Sequence, residues 1–285
     1  MKGKNIVVVG GTSGIGRSLA EQLVPHNRVF IIGRSSDKVT EFAEQHRNGG
    51  GLAADMSLLR VVSEVVPQLR EHLGGIDGVV HAADLIRVNR LDTTEGLEVS
   101  IATNYYSRVL FNQLLLMQDR EWRPGLILHV AFAGFRPGRH FLSSFPISPK
   151  ASSFKAHALG QIANDFYGLT MNRKLRGTDT QFNILNPGSV NTEIRRTGQF
   201  PSIVKPLVWL MERLIPMTPP DDYARLLVDV MSGRFSQAEE FTLIDSKGRG
   251  IPGSPRVNDL DTQERLYELT TREIDRVLGY STDWA

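Results

Sequence analysis

Near its start the chain carries a glycine-rich turn that is suited to binding phosphate groups. Gly10, Gly14 and Gly16 follow a short apolar run and open a stretch with helical periodicity. The first glycine permits a tight turn, the second lets the backbone approach a pyrophosphate, and the third allows a helix to pack closely on a strand. The free N–H groups at the start of that helix attract phosphates. This pattern predicts a dinucleotide site. Its other contact residues are expected to be Thr12, Ser13 and Ile15.

The end of the second apolar run indicates which dinucleotide binds. NAD sites place an Asp or Glu there, and its carboxylate binds the ribose 2′-hydroxyl. This chain has Arg34 instead, and a guanidinium suits a 2′-phosphate. Arg17 and Lys38 are expected to add positive charge. The sequence therefore predicts NADP(H) as the cofactor, and a purely solvated Arg34 is the alternative.

Asp55 ends the third apolar run and is expected to meet the adenine edge of the cofactor. A second role for this residue is to cap the helix that follows, because Asp is a favoured N-cap residue. The two roles are compatible, so Asp55 is retained as a predicted cofactor contact.

These residues depend on the elements that position them. Apolar runs alternate with helix-period stretches, and most runs are continuously apolar, as in parallel strands covered on both faces. This alternation predicts a doubly wound Rossmann-type α/β fold with a mostly parallel seven-stranded sheet and helices on both faces. The expected strands are 6–9, 29–32, 52–54, 79–82, 126–130, 182–185 and 241–244. The expected helices lie near 14–24, 36–46, 57–72, 94–118, 155–175, 220–232 and 262–277, and 246–256 is expected to be a loop.

The chain of 285 residues is long enough for one α/β domain with a large core, and we expect 1–285 to form a single domain. A substrate lid is expected at about 190–218 and a C-terminal helical extension at about 255–285. Within the lid, 203–217 is rich in Val, Leu, Ile, Trp and Met. Charged residues interrupt this segment, which favours a lid over peripheral contact with a membrane.

Composition excludes several functional classes. The 33 basic and 31 acidic side chains leave a net charge of +2, which gives no basis for binding nucleic acid or an anionic membrane. The absence of cysteine excludes disulfides, thiolate zinc sites and a cysteine nucleophile. The seven histidines show no HxxxH or HExxH spacing, so no metal site is predicted. With no signal peptide and no run of ~18 apolar residues, the sequence predicts a cytoplasmic protein without a transmembrane segment.

In combination these features resemble the short-chain dehydrogenase/reductase family, and more closely its retinol-dehydrogenase-like branch. The glycine turn fits that family's TGxxxGxG motif, with Val9 in place of the Thr. The segment 103–106 resembles the one that carries the family's structural and catalytic Asn, which is Asn104 here. Residues 186–193 resemble the loop that closes over the nicotinamide, and 266–270 resemble the branch's C-terminal helix. The resemblance implies cofactor contacts from Ala82, Pro187, Gly188, Val190 and Thr192.

The catalytic positions depart from the family pattern. Members use a Tyr for proton transfer, a Lys four residues later that lowers the pKa of that Tyr, and a Ser that orients the carbonyl. No Tyr of this chain has a Lys four residues on. Aligning 156–164 with the branch's AYxxSKLAN motif puts His157 at the Tyr position and Gln161 at the Lys position. The alternative takes Lys155 as the family Lys, which puts Ala151 at the Tyr position and requires an insertion before the Pro-Gly loop.

Two further motifs are altered. The strand end that carries the family's Ser has Ala131 and Phe132 instead. Ser143 and Ser144 lie beyond it and would replace that Ser only if the loop folds back. The family's NNAG segment reads His-Ala-Ala-Asp at 81–84.

The replacements are consistent with a single functional change. A free Tyr has a pKa of about 10 and needs a neighbouring cation to become acidic, whereas a free His has a pKa of about 6.5 and needs none. A Lys would disfavour the imidazolium by repulsion, so the neutral Gln161 suits His157 as a proton donor. Phe132 cannot hydrogen-bond a carbonyl, but it can pack on an apolar or aromatic substrate. Weaker candidates near this site are Asp165, His81 and His140.

The sequence leaves three functions open. The first is an atypical NADPH-dependent short-chain reductase of a small, largely apolar or aromatic metabolite, such as an activated enone, imine or carbonyl. His157 would donate the proton, and Asn104 would hold a water or the backbone in place. The alternatives are a non-redox cyclase, isomerase or dehydratase with structural NADP(H), and a catalytically silent NADP(H)-binding protein. The resemblance also implies a homodimer through the helices near 94–118 and 155–175.

Overall fold

The computed structural model describes residues 1–117, 122–188, 190, 218–233 and 242–282. Within these ranges the chain forms one eight-stranded sheet with helices on both faces, which confirms the predicted doubly wound α/β fold. The strands are β1 (Asn5–Val9), β2 (Arg28–Gly33), β3 (Gly49–Ala53), β4 (Gly78–His81), β5 (Leu126–Val130), β6 (Gln181–Leu185), β7 (Leu243–Ile244) and β8 (Gly250–Ile251). The helices are α1 (Gly14–Leu23), α2 (Ser36–Gln45), α3 (Leu59–His72), α4 (Val99–Ile101), α5 (Ser107–Leu116), α6 (Ser153–Lys174), α7 (Pro220–Met231) and α8 (Leu260–Leu278).

The order of the strands creates the crevice in which the site lies. The strand order in the sheet is β3-β2-β1-β4-β5-β6-β7-β8. After β3, at one edge, the chain therefore crosses back to the centre of the sheet, where β4 pairs with β1 and begins the other half. Strands β1 to β7 pair in parallel, and β8 pairs antiparallel with β7. Loops diverge at the carboxyl ends of β1 and β4, and sheets of this kind bind their ligands there.

The sheet is buried on both faces, which explains why its strands are continuously apolar. Val7 and Val9 belong to the core cluster on one face, whereas Ile6 and Val8 belong to the cluster on the other. Successive side chains of a strand point to opposite faces, so an unbroken apolar run supplies both cores.

The sheet has one strand more than predicted. Strand β8 lies in the stretch 246–256, which the sequence predicted to be a loop. A tight turn returns the chain to β7, and in it the Asp245 carboxylate accepts hydrogen bonds from the backbone of Lys247 and Arg249. A strand of two residues is too short to show a periodicity, so it carries no sequence signal of its own.

Two elements begin more than two residues away from their predicted starts. Strand β3 begins at Gly49 rather than at 52, and the sequence pattern missed its start because the first three residues are glycines, which are uncommon in strands. The helix expected over 94–118 begins at Val99, after a turn closed by a bridge between Asp92 and Glu98. A π-helical turn, Ala102–Tyr106, interrupts it before α5, and such turns often occur at functional sites.

The C-terminal helix α8 packs against the helices that carry the site. Asp259 caps its start by accepting a hydrogen bond from Thr262 N, and Gly279 ends it in the left-handed conformation. The Tyr105 hydroxyl lies 2.9 Å from Thr270 Oγ1 and so joins the π-helical turn to α8.

The predicted lid falls largely outside the described residues. Its first and last positions, Val190 and Thr218, form an isolated parallel bridge. Thr192 and the segment 203–217 lie outside the described residues, so their predicted roles stay predictions, as does the homodimer. None of the helices in the described ranges has the length and apolarity needed to cross a bilayer.

Candidate active site

A cavity of about 700 Å³ opens at the carboxyl edge of the sheet, beside the switch in strand order between β1 and β4. The loops that follow β1 to β6 all supply residues to its wall. Most of the predicted site residues lie on this wall, namely Gly10, Thr12, Ser13, Gly14, Ile15, Arg34, Asp55, Ala82, Phe132, His157, Gln161, Pro187, Gly188 and Val190.

The glycine turn is shaped by contacts that leave no space for side chains. Gly10 has a φ of 87°, and a Cβ there would lie 2.4 Å from the backbone N of Ala83. A Cβ on Gly16 would lie 2.2 Å from the carbonyl oxygen of Gly10. The chain can therefore reverse tightly enough for α1 to begin directly at the cavity.

The first turn of α1 presents its N–H groups to the cavity. Its N-cap residue, Ser13, has extended backbone and makes no side-chain capping hydrogen bond. The helical hydrogen bonds begin with the bond from Arg17 N to Ser13 O, so the preceding N–H groups have no acceptor within the helix. Thr12 packs against Gly33, where a Cβ would come within 2.6 Å of the Thr12 side chain. Open N–H groups at the positive end of a helix fit a pyrophosphate.

Two cationic residues lie on the cavity wall near the end of β2, where the sequence predicts contacts to a 2′-phosphate. Arg34 and Lys38 are on the cavity wall, after the end of β2 and in α2. Arg34 is exposed, and its side chain makes no hydrogen bond or ion pair with the described residues. Arg17 does not join them, because it pairs with Glu21 at 2.6 Å and donates to Gln45 at 2.9 Å. The prediction that Arg17 adds charge to the site is therefore wrong.

Asp55 lies on the cavity wall but does not cap α3. Its Oδ1 accepts hydrogen bonds from Ser57 N at 2.9 Å and Ser57 Oγ at 2.8 Å, and these shape the turn before the helix. The Glu95 carboxylate caps the helix by accepting from the backbone N–H groups of Leu59 and Arg60. The alternative helix-capping role of Asp55 is therefore wrong.

Hydrogen bonds fix the loops around the predicted nicotinamide end. Asn186 Nδ2 donates to the Ala133 carbonyl at 3.0 Å, and Asn186 Oδ1 accepts from Gly188 N at 2.9 Å. The Ala82 N–H donates to the Val9 carbonyl at 2.8 Å and holds the end of β4 against the glycine turn. These bonds give the cavity a floor of fixed backbone.

At the other end of the cavity, a carboxylate joins two side chains of α6. Asp84 Oδ1 lies 3.0 Å from His157 Nε2 and 3.0 Å from Gln161 Nε2. His157 and Gln161 share one face of α6 because they are four residues apart. The Asp84 side chain is 27% exposed and that of His157 is 5% exposed, so the carboxylate presents more of its surface to the cavity. Lys155 is exposed and lies off the cavity wall, which agrees with the alignment based on His157 and Gln161.

The amide of Gln161 supplies a partner for the unprotonated ring of His157. Gln161 Oε1 accepts from the Phe132 N–H at 3.3 Å, so its amide nitrogen faces Asp84 and the ring, 3.3 Å from His157 Nε2. A protonated Nε2 donates to Asp84, whereas an unprotonated Nε2 accepts from Gln161. Both states of the imidazole are thus satisfied, as a residue that gives up and regains a proton requires.

Asp84 is held in its ionised form by its neighbours His157 and Arg108. Burial raises the pKa of Asp84, but the hydrogen bond and charge of His157 and the charge of Arg108 outweigh this, and the pKa lies below its usual value. Arg108 is fully buried and donates to the Ala83 carbonyl at 2.6 Å and the Val130 carbonyl at 3.0 Å. Burial lowers the pKa of Arg108 to about 10, so it stays charged at neutral pH.

Asn104 holds the loop that carries Asp84. It lies in the π-helical turn, where its Oδ1 accepts from Leu85 N at 2.8 Å and its Nδ2 donates to Leu85 O at 2.9 Å. Its own carbonyl accepts from Asn164 Nδ2 at 3.1 Å. Asn104 lies behind the wall and orients the backbone of the residue that follows Asp84.

An aromatic ring, that of Phe132, lines the cavity beside His157. The Phe132 ring contacts the His157 ring edge-on, with centroids 5.8 Å apart, and stacks on Phe135 at 5.5 Å. Ala131 is buried beside Phe132. The positions of the family's Ser therefore present carbon in place of a hydroxyl.

Four other sequence candidates do not take part. Ser143 and Ser144 donate to the His140 carbonyl, at 3.0 and 3.1 Å, so neither replaces the family's Ser. His140 itself is exposed and lies off the cavity wall. Asp165 accepts from Gly134 N at 2.8 Å and is not the partner of His157.

His81 belongs to a buried polar chain behind the site. His81 Nε2 lies 2.9 Å from Asn112 Oδ1, Asn112 Nδ2 lies 2.9 Å from His129 Nε2, and His129 Nδ1 lies 2.8 Å from Asn164 Oδ1. Burial, followed by the charge of Arg108, lowers the pKa of His81 to about 3. His81 is therefore neutral, and it supports the site from behind.

Asp84 and Arg108 were not predicted as site residues from the sequence. The sequence nevertheless marks both positions. Asp84 replaces the Gly of the NNAG motif, and Arg108 is a charged residue within the apolar helix after Asn104. Buried charges are rare unless they are paired, so such positions merit attention before a structure is known.

Comparisons with known proteins agree with this architecture. The sequence profile described as short chain dehydrogenase matches residues 4–142. Retinol dehydrogenase 14 of Homo sapiens is 24% identical over an alignment that covers 95% of this chain and 86% of that protein. Retinol dehydrogenase 13 of Mus musculus is 22% identical, with 98% of this chain and 86% of that protein covered.

Solved structures show the same fold. A short chain dehydrogenase from Burkholderia cenocepacia in complex with NADP has a TM-score of 0.64 and 20% identity, covering 87% of this chain and 98% of that one. A 3-ketoacyl-(acyl-carrier-protein) reductase from Brucella melitensis complexed with NADH also has a TM-score of 0.64, with 19% identity, 88% of this chain and 99% of that chain. The chain is similar to members of the short-chain dehydrogenase/reductase family, among them retinol dehydrogenases. Members of this family are oxidoreductases that use nicotinamide cofactors.

Proposed function

We propose that this protein is an NADP(H)-dependent reductase of a small, largely apolar or aromatic acceptor, such as an activated enone, imine or carbonyl. His157 is its proton donor and acts together with Asp84. The observation that carries the proposal is the 3.0 Å contact between His157 Nε2 and Asp84 Oδ1, on the wall of the cavity that also contains the glycine turn.

The choice of NADP(H) rests on Arg34. Its exposed guanidinium lies on the wall after the end of β2, and Lys38 lies on the same wall. A 2′-phosphate accepts strong charge-assisted hydrogen bonds from a guanidinium, whereas an unmodified ribose hydroxyl does not. The chemistry that NADP(H) supplies when bound is hydride transfer.

Proton delivery rests on the Asp84–His157 pair. An ionised Asp84 stabilises an imidazolium at His157 by Coulomb attraction and holds its Nε2–H. Proton transfer from Nε2 to the acceptor takes place beside the Asp84 carboxylate, which is the more exposed of the two groups. Gln161 then donates to the unprotonated Nε2, and the ring keeps its orientation until it is protonated again.

The apolar or aromatic character of the substrate is supported by the wall beside the pair. Phe132, which stacks on Phe135, presents an aromatic ring next to His157 on this wall. An aromatic wall also keeps water away from the reacting carbon, which favours hydride transfer to the acceptor over side reactions.

The test measures NADPH oxidation by the chain with a panel of enones, imines, quinones and carbonyls. The readout is the decrease in absorbance of the reduced nicotinamide. His157→Phe is expected to lower kcat about 10²- to 10⁴-fold, the usual contribution of a positioned acid, with the Kd for NADPH unchanged. His140→Phe is the matched control, because His140 is exposed and lies off the cavity wall; it should keep full activity.

Two results would overturn the proposal. A His157→Phe variant with undiminished turnover would remove the proton donor. Tight NADPH binding without oxidation by any acceptor would point to a non-redox enzyme if a substrate is still converted, and to a silent binding protein if none is.

A further inference from the structure

We propose that the acceptor is an iminium ion, the protonated form of an imine, whose positive charge is stabilised by Asp84. This inference rests on the proposed function and names its substrate class. It is based on the groups of the cavity wall that can contact the acceptor's heteroatom, the nitrogen or oxygen bonded to the reacting carbon.

Reduction of a carbonyl builds negative charge on oxygen, and enzymes stabilise that charge with hydrogen-bond donors aimed at it. The described wall around His157 offers few such donors. Ala131 and Phe132 stand where the family has the Ser whose hydroxyl orients the carbonyl. The Gln161 amide is already bonded, through its nitrogen to Asp84 and through its oxygen to the Phe132 N–H. Among the charged side chains of the described wall, Asp84 is the one that contacts His157, and its carboxylate repels a developing oxyanion.

An iminium ion reverses this electrostatic relationship. It carries a positive charge before hydride transfer, and its N–H can donate to a carboxylate in a charge-assisted hydrogen bond. Aromatic rings also attract cations, and Phe132 lies on the same wall as Asp84, in contact with His157. Relative to the neutral imine, the wall thus favours the protonated form, which is the more electrophilic one.

The other charges near Asp84 do not take the place of a cationic ligand. Arg108, on α5, is buried behind the wall, and its guanidinium is bonded to the carbonyls of Ala83 and Val130, so it cannot touch a ligand. His157, on α6, is the proton source and becomes neutral on donation. Arg87 also lies on the wall, further along the same loop. Asp84 is the acidic side chain on the described wall that contacts His157.

The reaction balances without a further reactant. His157 gives its proton to the imine nitrogen, which forms an N–H bond and the cation. Hydride from NADPH then forms a C–H bond, and the electron pair of the C=N π bond becomes the nitrogen lone pair. One imine, one proton and one NADPH give one amine and one NADP⁺, so the imine is reduced and the nicotinamide is oxidised.

The experiment compares three acceptors of similar size: 3,4-dihydroisoquinoline, its permanently charged N-methyl iminium salt, and the neutral ketone 1-tetralone. The imine and the iminium salt are expected to show kcat/KM values at least about a hundredfold above that of the ketone, equivalent to about 2.7 kcal/mol. Asp84→Asn should lower the imine-to-ketone ratio at least tenfold. His157→Phe should lower turnover of the imine far more than that of the salt, because the salt needs no proton.

Asp222→Asn is the matched control, since Asp222 lies in an exposed ion pair with Arg225 on α7. NADPH titration and thermal unfolding of each variant confirm that it is folded. A ketone reduced as fast as the imine, or a ratio that Asp84→Asn leaves unchanged, overturns this inference while the proposed function stands. Absence of NADPH oxidation with all three compounds and with the enone panel overturns both.

Discussion

Asp84 Oδ1 and His157 Nε2 lie 3.0 Å apart although 73 positions separate the two residues in the chain. Asp84 follows β4, and His157 lies on α6, which precedes β6. Two sets of hydrogen bonds hold the contact: the Asn104 side chain clamps the backbone of Leu85, and Arg108 ties the ends of β4 and β5 together. The contact therefore depends on buried polar residues that do not themselves line the cavity.

Removing Arg108 is expected to destabilise the fold. Arg108→Leu leaves the buried carbonyls of Ala83 and Val130 without their donor, which should lower the free energy of unfolding by roughly 2–5 kcal/mol. Urea denaturation measures it. Arg272→Leu, at an exposed position of α8, is the control and should stay within about 0.5 kcal/mol of the parent. A loss for Arg108→Leu as small as that of the control would contradict the structural role.

Arg34 is expected to determine the preference for the phosphorylated cofactor. Arg34→Gln removes the guanidinium and should weaken NADPH binding about ten- to a hundredfold, since a hydrogen bond to a charged group contributes about 1.5–3 kcal/mol. The affinity for NADH should change little. Calorimetric titration of both cofactors, with Arg265→Gln as an exposed control, measures the ratio. Equal losses for NADPH and NADH would refute the assignment of Arg34 to the 2′-phosphate.

The glycine turn can be tested with a pair of alanine substitutions. Gly10→Ala places a Cβ 2.4 Å from Ala83 N at a φ of 87°, so it should cost on the order of 1–3 kcal/mol and abolish NADPH binding. A Cβ on Gly74 would have no neighbouring atom within 4 Å, so Gly74→Ala should leave binding intact. Thermal unfolding and NADPH titration of the two proteins check this, and intact binding in Gly10→Ala would show that the turn does not require glycine.

Asp165 predicts a pH dependence of stability. Burial raises the pKa of Asp165 from 3.8 to about 8, although the hydrogen bond from Gly134 N opposes the shift. Because the folded pKa lies above the unfolded one, the stabilisation is full below about pH 4 and is lost as pH rises towards 8. Asp165→Asn should remove this loss and make the protein more stable than the parent at pH 9, by up to a few kcal/mol.

The measurement is urea denaturation of the parent and Asp165→Asn at pH 5 and pH 9. Asp222→Asn, at an exposed position, serves as control and should follow the parent at both values. If the parent and Asp165→Asn lose the same stability between pH 5 and pH 9, Asp165 does not titrate in this range.

The sheet and the glycine turn at its carboxyl edge were predicted from the sequence, because both depend on neighbouring residues. Continuously apolar runs indicate strands covered on both faces, and Gly10, Gly14 and Gly16 lie within one strand–turn–helix unit. The predictions failed where the local pattern was weak. The glycines at the start of β3 have no side chains to show a period, and β8 has two residues.

Residues close together in the chain were enough to predict the fold class, a phosphate-binding turn and the replacement of the family's Ser, Tyr and Lys. The partner of His157 could be identified only from the packed molecule. Asp84 reaches it because the strand order places the end of β4 beside β5 and close to α6. Contacts between residues so far apart depend on packing of the whole sheet, and no local periodicity encodes them.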